Sequence, residues 1–270
     1  MELGLGGKTA LVTGGSVGIG KGISLRLAAE GCNVVVMARS RAAIDETVKE
    51  IEAAGGSALG ISADVTKPDE IDRTVAEAVA KFGGLDILVN NTGGNGREPN
   101  NAKFEDLDDG KWARVADINL MATVRCCRAA IPHMQKAGWG RVVNISSAAG
   151  AQPEAVFAHY NAMKAAVNNL TKTLSRAYGP DGITVNAVAP GLIWSPGFAQ
   201  QLEAGAKQRG LSIEDAEKQF IRKVKPNNVV GRTGRVEEVG ALVAFLCSNF
   251  AGFITGSIYR IDGGSVAHVP

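Results

Sequence analysis

The sequence predicts a doubly wound α/β fold: a mostly parallel seven-stranded sheet with helices on both faces. Two observations predict it. Seven short apolar runs, rich in β-branched residues, recur along the chain, and helix-length amphipathic segments separate them. The runs are continuous rather than alternating, as in strands buried on both faces of a parallel sheet. Strands and helices taking turns at this spacing are the pattern of successive βαβ units.

The elements follow in order. A strand is expected over 9–12, then a glycine-rich turn and a helix over 20–29. Strands over 34–37 and 58–61 flank a helix over 42–54. Pro68 introduces a helix over 69–82, in which Ile71, Val75, Ala78, Val79 and Phe82 form one apolar stripe. Strands over 87–89 and 142–145 follow, with a helix at 112–134 between them and another over 158–177. A strand over 184–188, a helix over 236–246 and a last strand over 258–261 complete the sheet. Residues 194–228 are polar and broken by Gly205, Gly210 and Pro226, with short helices around 198–207 and 213–223. An excursion of this length late in a compact fold reads as a lid over a site. No linker or repeat divides the chain, so 1–270 is read as one domain with a lid at about 194–228.

Composition excludes several classes. The 29 Lys and Arg against 27 Asp and Glu give a net charge of +2, with no basic stripe for nucleic acid or anionic lipid. At 45% hydrophobic residues the chain is not disordered. Its apolar runs fall far short of the roughly 20 residues of a membrane helix, and Glu2 stands where a signal peptide is basic. Cys32, Cys126, Cys127 and Cys247 form neither a metal spacing nor a disulfide framework. His133, His159 and His268 are equally scattered, so no metal is expected. The expectation is a soluble protein of a reducing, cytoplasmic compartment.

Chemistry enters at the first turn. Thr13-Gly14-Gly15-Ser16-Val17-Gly18-Ile19-Gly20 joins the first strand to the first helix. Glycine lets backbone approach a pyrophosphate, and the helix N-terminus offers free N–H groups and partial positive charge. The spacing Gly-x-x-x-Gly-x-Gly departs from Gly-x-Gly-x-x-Gly, and such glycines also serve ordinary turns. Gly7-Lys8-Thr9 resembles the end of a phosphate loop, but Glu2 stands where that motif requires glycine, which removes it.

Tyr160 and Lys164, four apart on a helix, share one face. Asn144-Ile145-Ser146-Ser147 ends a buried strand, the edge at which doubly wound sheets bind ligands. An ammonium beside a phenol favours phenolate and lowers its pKa from about 10. A serine hydroxyl holds a substrate oxygen. The plainer reading makes Tyr160 a core residue with a wet hydroxyl and Lys164 a solvated helix charge.

Together these motifs resemble the short-chain dehydrogenase/reductase family over essentially the whole chain, in its single-domain branch with a Rossmann-like fold and members such as 3-oxoacyl-carrier-protein reductases. The resemblance rests on the glycine turn, Asp64-Val65, Asn90-Asn91-Thr92-Gly93, Asn119, Ser147, Tyr160, Lys164, Pro190-Gly191 and Asp262-Gly263-Gly264. It implies that Tyr160 is the general acid/base, that Lys164 lowers its pKa and binds the nicotinamide ribose, and that Ser147 positions the carbonyl. Asn119 then holds a relay water. Ser147 rather than Ser146 has the family's thirteen-residue distance to Tyr160. The implied cofactor contacts are Gly14, Ser16, Gly18, Ile19, Gly20, Arg39, Asp64, Val65, Asn91, Gly93, Tyr160, Lys164, Pro190, Gly191, Ile193 and Ser195. Thr92 replaces the usual alanine, and Ser195 replaces the threonine near the carboxamide while keeping a hydroxyl. The stretch between Gly191 and Arg232 is longer than in 3-oxoacyl-carrier-protein reductases, which weakens that particular assignment.

Cofactor choice is set at the end of the second strand. Ala38 stands where NAD-preferring members carry Asp, and Arg39 follows where NADP-preferring members carry a basic residue, whose guanidinium suits a 2′-phosphate. NADP(H) is therefore expected over NAD(H), which stays possible, with Val17 where many NADP users have a second Arg. The expected reaction is hydride transfer between nicotinamide and a carbonyl or secondary alcohol, by a homotetramer with no nucleic-acid or membrane partner. The alternative is a catalytically silent cofactor-binding regulator or scaffold of the same fold; it has no need of the intact Asn119, Ser147, Tyr160 and Lys164.

Overall fold

The computed structural model describes residues 2–96, 98 and 102–268. Seven strands, β1 (Thr9–Thr13), β2 (Asn33–Ala38), β3 (Ser57–Ser62), β4 (Ile87–Asn90), β5 (Gly140–Ile145), β6 (Ile183–Pro190) and β7 (Ile258–Ile261), form one parallel sheet in the order β3-β2-β1-β4-β5-β6-β7. The order reverses between β1 and β4, which opens a crevice above their carboxyl ends. Successive strand residues point to opposite faces, and each face has its own core. Ala10, Val12, Val34, Val36, Ile87 and Val89 face one way, and Leu11, Val35, Met37 and Leu88 the other. Two-sided burial holds for β1, β4, β5 and β6 along their whole length, and for β2 except at its ends. It does not hold for β3 and β7, which are partly exposed because each is an edge strand with one neighbour.

Helices α1 (Gly18–Ala29), α2 (Arg41–Ala53) and α3 (Pro68–Phe82) connect the first four strands. Pro68 at the first turn of α3 supplies no N–H that would need a partner, and Gly83 closes the helix in the left-handed region. The expected helix at 112–134 is interrupted: α4 (Asp109–Ala116) passes through a π-helical turn, Asp117–Met121, into α5 (Ala122–Ala137). Then come α6 (Ala158–Tyr178), α7 (Pro196–Arg209), α8 (Ile213–Val224) and α9 (Val236–Cys247). The polar excursion is therefore two capped helices. Ser195 and Ser212 cap α7 and α8, accepting from Phe198 N (3.4 Å) and Asp215 N (3.1 Å). Leu202, Ala206 and Ala216 give the pair a small core of its own, packed by Trp194, Phe198 and Phe220. The four cysteines are buried and unpaired, as small core residues. Among the described residues no helix is long and apolar enough to cross a membrane.

Candidate active site

The crevice is assembled from strand ends. At the end of β1, Thr13 Oγ1 accepts from the backbone N–H groups of Asn91 and Thr92, each at 3.0 Å, and so joins the first turn to the segment after β4. Asn91 Nδ2 returns the contact, donating to Thr13 O (2.9 Å) and Gly14 O (3.2 Å). Gly14 and Gly18 take positive φ in this turn, and Ser16 is buried beneath it. At Gly20 there is no room for a side chain, since a Cβ would lie 2.0 Å from Gly14 O and 2.5 Å from Asn91 Nδ2. Val17 at the start of α1 supplies no side-chain cap, so the first N–H groups of the helix keep no side-chain acceptor. A glycine cradle facing an uncapped helix N-terminus fits a pyrophosphate. Ile19, part-buried, packs the turn onto the core.

Beside this turn lies a cleft of about 270 Å³, lined among others by Ser16, Ala38, Arg39, Asp64, Val65 and Thr92. Burial raises the Asp64 carboxyl, but hydrogen bonds from Thr66 N–H and Oγ1, both 2.9 Å, outweigh it with help from the Arg39 charge. The net pKa is below the ordinary carboxylate value. Of the cations on α1 and at the end of β2, Lys21 and Arg41 are engaged. Lys21 bridges Glu46 (3.1 Å) and Glu50 (2.7 Å). Arg41 pairs with Asp45 (2.6 Å) and donates to Gly60 O (3.3 Å). Arg39 is exposed at the mouth, with no ion pair among the described residues. A larger cavity of about 570 Å³ between α1, Trp194 and Val236 holds none of the predicted acid/base residues.

The acid/base residues meet at the end of β5. Ser146 is buried and turned inward, its hydroxyl donating to Lys164 O at 3.3 Å. Ser147 faces the other way. Its Oγ accepts from Ala149 N (3.2 Å) and hydrogen-bonds the Tyr160 hydroxyl. Lys164 is 4% exposed; its Nζ donates to Ile145 O at 2.8 Å and lies 5.6 Å from the Tyr160 ring centroid. Gly93 completes the contact with the β4 side, because a Cβ there would come within 3.0 Å of Lys164 Nζ and 2.6 Å of Asn119 Oδ1. On the β6 side, Pro190 ends the strand and Gly191 N donates to Ile261 O (3.0 Å). Ile193, 7% exposed, bridges to Gly234. Ser195 Oγ accepts from the α7 N-terminus, leaving its proton for a ligand.

One expectation changes. The expected lowering of the Tyr160 pKa by Lys164 is reversed: burial pushes the phenol above its ordinary value, opposed by the Ser147 hydrogen bond and reinforced by the Glu154 charge. The ammonium has its own difficulty, since burial lowers Lys164 from 10.5 to about 8. The Asn119 side chain is engaged with backbone. It donates to Gly94 O (2.8 Å) and Val115 O (2.9 Å) and accepts from Gly94 N (3.1 Å). One Oδ1 lone pair remains for a water. The π-helical turn is what rotates this buried amide onto the Gly93-Gly94 segment.

Sequence reasoning missed a polar chain under the site, Asn90 Nδ2 to Asn144 Oδ1 (2.9 Å) and Asn144 Nδ2 to Thr171 Oγ1 (2.9 Å). It also missed Glu154 and the anchor of α8. There Glu217, 5% exposed, accepts from Thr233 N (2.9 Å) and Arg235 (3.1 Å). No local pattern marks any of these. Among the described residues no group of three or more His, Cys, Asp or Glu is placed to hold a metal.

Fold and site together define the class, an oxidoreductase working with a bound nicotinamide dinucleotide. More particularly, the chain belongs to the short-chain dehydrogenase family, whose model matches residues 8–206. It is 37% identical over 265 residues to D-beta-hydroxybutyrate dehydrogenase of Cupriavidus necator, covering 97% of this chain and 99% of that protein. It is 38% identical to the short-chain reductase protein NovJ of Streptomyces niveus, covering 94% and 92%. The structure is similar to that of L-sorbose reductase from Gluconobacter frateurii complexed with NADPH and L-sorbose, with a TM-score of 0.91 at 31% identity and full coverage of both chains.

Proposed function

We propose that the protein is an NADP(H)-preferring reductase of a ketone, 3-oxoacyl-like or otherwise, running reversibly toward the secondary alcohol. The observation that carries this reading is the convergence of Ser147, Tyr160 and Lys164 at the end of β5, beside a glycine cradle with Arg39 lining the adjoining cleft. Gly14, Ser16, Gly18, Ile19 and Gly20 would hold the pyrophosphate. Arg39, Asp64 and Val65 would hold the adenosine end. Asn91, Gly93, Pro190, Gly191, Ile193 and Ser195 would hold the nicotinamide end, with Tyr160 and Lys164 on its ribose. The nicotinamide, when bound, supplies the hydride.

The rest of the chemistry falls to the chain. Ser147 Oγ donates to the substrate carbonyl and polarises it. Tyr160 passes its phenolic proton to the same oxygen as negative charge develops there. A phenol above its ordinary pKa stays protonated at neutral pH, so it stands ready as an acid, which suits reduction. Lys164 supplies positive charge while protonated, below about pH 8. Asn119 acts mainly by fixing Gly93 and Gly94 against the site, and its remaining lone pair can take a relay water.

Residues 194–228 act as the lid, since α7 and α8 carry their own core. A homotetramer in the cytoplasm completes the reading. The exposed Ile258 of edge strand β7 (42%) and Phe253 in the turn before it (103%) support assembly through that edge and the α4–α6 faces. The test is a panel of ketones offered with NADPH and with NADH, following loss of the reduced-nicotinamide absorbance. Consumption of NADPH by one or more ketones is expected. No consumption of either cofactor across the panel would favour the silent cofactor-binding alternative.

A further inference from the structure

Tyr160 stands in the first turn of α6, where backbone N–H groups have no partner within the helix. Such a turn is usually capped by a Ser, Thr, Asp or Asn just before it. Here that place belongs to Phe157, which gives no side-chain cap. Phe157 is also, among the described residues, the one non-glycine with positive φ (59°), a strained setting for a bulky side chain. The turn that carries the phenol therefore begins at a weak point, and two side chains of the helix compensate. Asn161 Nδ2 reaches back to Glu154 O (2.9 Å) and Val156 O (3.0 Å), holding the segment that leads in. His159 takes the tyrosine itself: its Nδ1 accepts the Tyr160 N–H at 2.9 Å.

We propose that His159 is a positioning residue for Tyr160, an uncharged imidazole that caps the tyrosine's own N–H and so holds its phenol against Ser147. The proposal rests on the reading of Tyr160 as the acid/base. Because a backbone N–H can only donate, Nδ1 carries no proton, and the ring keeps its one proton on Nε2. His159 is fully buried, and among the described residues Nε2 has no hydrogen-bond partner. The Nδ1 contact is thus the one hydrogen bond the imidazole makes there, in a place where a polar ring is costly to bury.

The surroundings agree with this role. Trp112 of α4 packs edge-on against the imidazole, centroids 6.0 Å apart and planes at 66°, which restricts its rotation. The carboxylates around this end of α6 have cations of their own. Asp117 is paired with Arg125 (2.7 Å), Glu98 with Lys111 (3.1 Å) and Arg114 (3.7 Å), and Glu154 with Lys225. Among the described residues none of them pairs with His159, as fits an uncharged ring. A first turn that loses its acceptor frays, and the phenol moves with it. Misplacing a reacting group by about 1 Å can cost about 10²-fold in rate.

The test uses the full chain labelled with nitrogen-15 in its three tyrosines, Tyr160→Phe identifying the Tyr160 amide signal beside those of Tyr178 and Tyr259. His159→Phe fills the space without an acceptor, and His159→Asn returns an oxygen near the place of Nδ1. In His159→Phe the Tyr160 amide should shift and exchange with solvent about tenfold faster or more, the other two staying put. Single-turnover ketone reduction should fall by about tenfold or more with KM little changed, and His159→Asn should recover most of both. A mere packing role predicts the opposite order, with Phe the better substitute. A Tyr160 amide indifferent to His159→Phe overturns the proposal. So does a proton found on Nδ1 of His159 in the unsubstituted protein labelled in its three histidines, where His133→Gln and His268→Gln identify the other two; that measurement needs no His159 variant to fold. If the amide responds as expected while the reduction rate does not, the cap stands and the acid/base role of Tyr160 falls.

Discussion

Replacing Lys164 with methionine should make the protein more stable while disabling it. Lys164 is 4% exposed, and burial lowers its pKa from 10.5 to about 8. Every tenfold loss of proton affinity corresponds to about 1.4 kcal/mol, so the protonated side chain costs about 3 kcal/mol at neutral pH. The sign follows from proton counting. Between about 8 and 10.5 the unfolded chain binds the proton that the folded chain has lost, so stability rises with pH across that window. Below pH 8 the penalty is complete. Methionine removes it but also removes the 2.8 Å bond to Ile145 O. A lost hydrogen bond with an orphaned carbonyl costs about 1–2 kcal/mol. The net gain at pH 7 is then about 1–2 kcal/mol, a rise in Tm of about 2–6 °C for a chain of this size. Thermal unfolding of both proteins at pH 7 and about pH 9.5 is the assay, and the gap is expected to close at the higher pH as the wild type sheds its penalty. A variant less stable at pH 7, or an equal gap at both pH values, would refute the reasoning.

Two further substitutions test the cofactor cradle. Arg39→Ala should cost most of an expected NADP preference of about ten- to a hundredfold in kcat/KM, the worth of one hydrogen bond to a charged group; a wild type equally efficient with NADH and NADPH would remove the premise. Gly20→Ala would place a methyl 2.0 Å from Gly14 O, so the turn must open. It should weaken NADPH binding, read by fluorescence titration, by about tenfold or more and destabilise the fold by about 1–3 kcal/mol; unchanged affinity would mean that the turn is not the phosphate cradle.

Much of this architecture can be read from local signals, and what cannot has a common cause. Runs such as Val34-Val35-Val36-Met37 suit only a buried strand, and each expected strand appears with its ends shifted by two residues or fewer. Pro68 and Gly83 mark the ends of α3 by backbone chemistry alone. The π-helical turn is different. The sequence from Trp112 to Met134 reads as one helix, and only the pull of Gly94 on the Asn119 amide gives a reason to insert a residue there. The exposed edges of β3 and β7 depend on the order of strands, which no single strand encodes. The positions of Ser147, Tyr160 and Lys164 are legible as a spacing, but the behaviour of the phenol is not. Burial and the Glu154 charge decide it, and the partner of Glu154 lies 71 residues away.

The central claim is that Tyr160 delivers the proton while hydride is transferred, and Tyr160→Phe tests it most directly. The ring and its packing are kept and only the hydroxyl is lost. Single-turnover ketone reduction with saturating NADPH should fall by about 10²-fold or more, while the cofactor dissociation constant rises by no more than about tenfold, the worth of one ribose hydrogen bond, because the glycine turn and Lys164 are untouched. Turnover within a few-fold of the wild type, at unchanged cofactor affinity, would contradict the account.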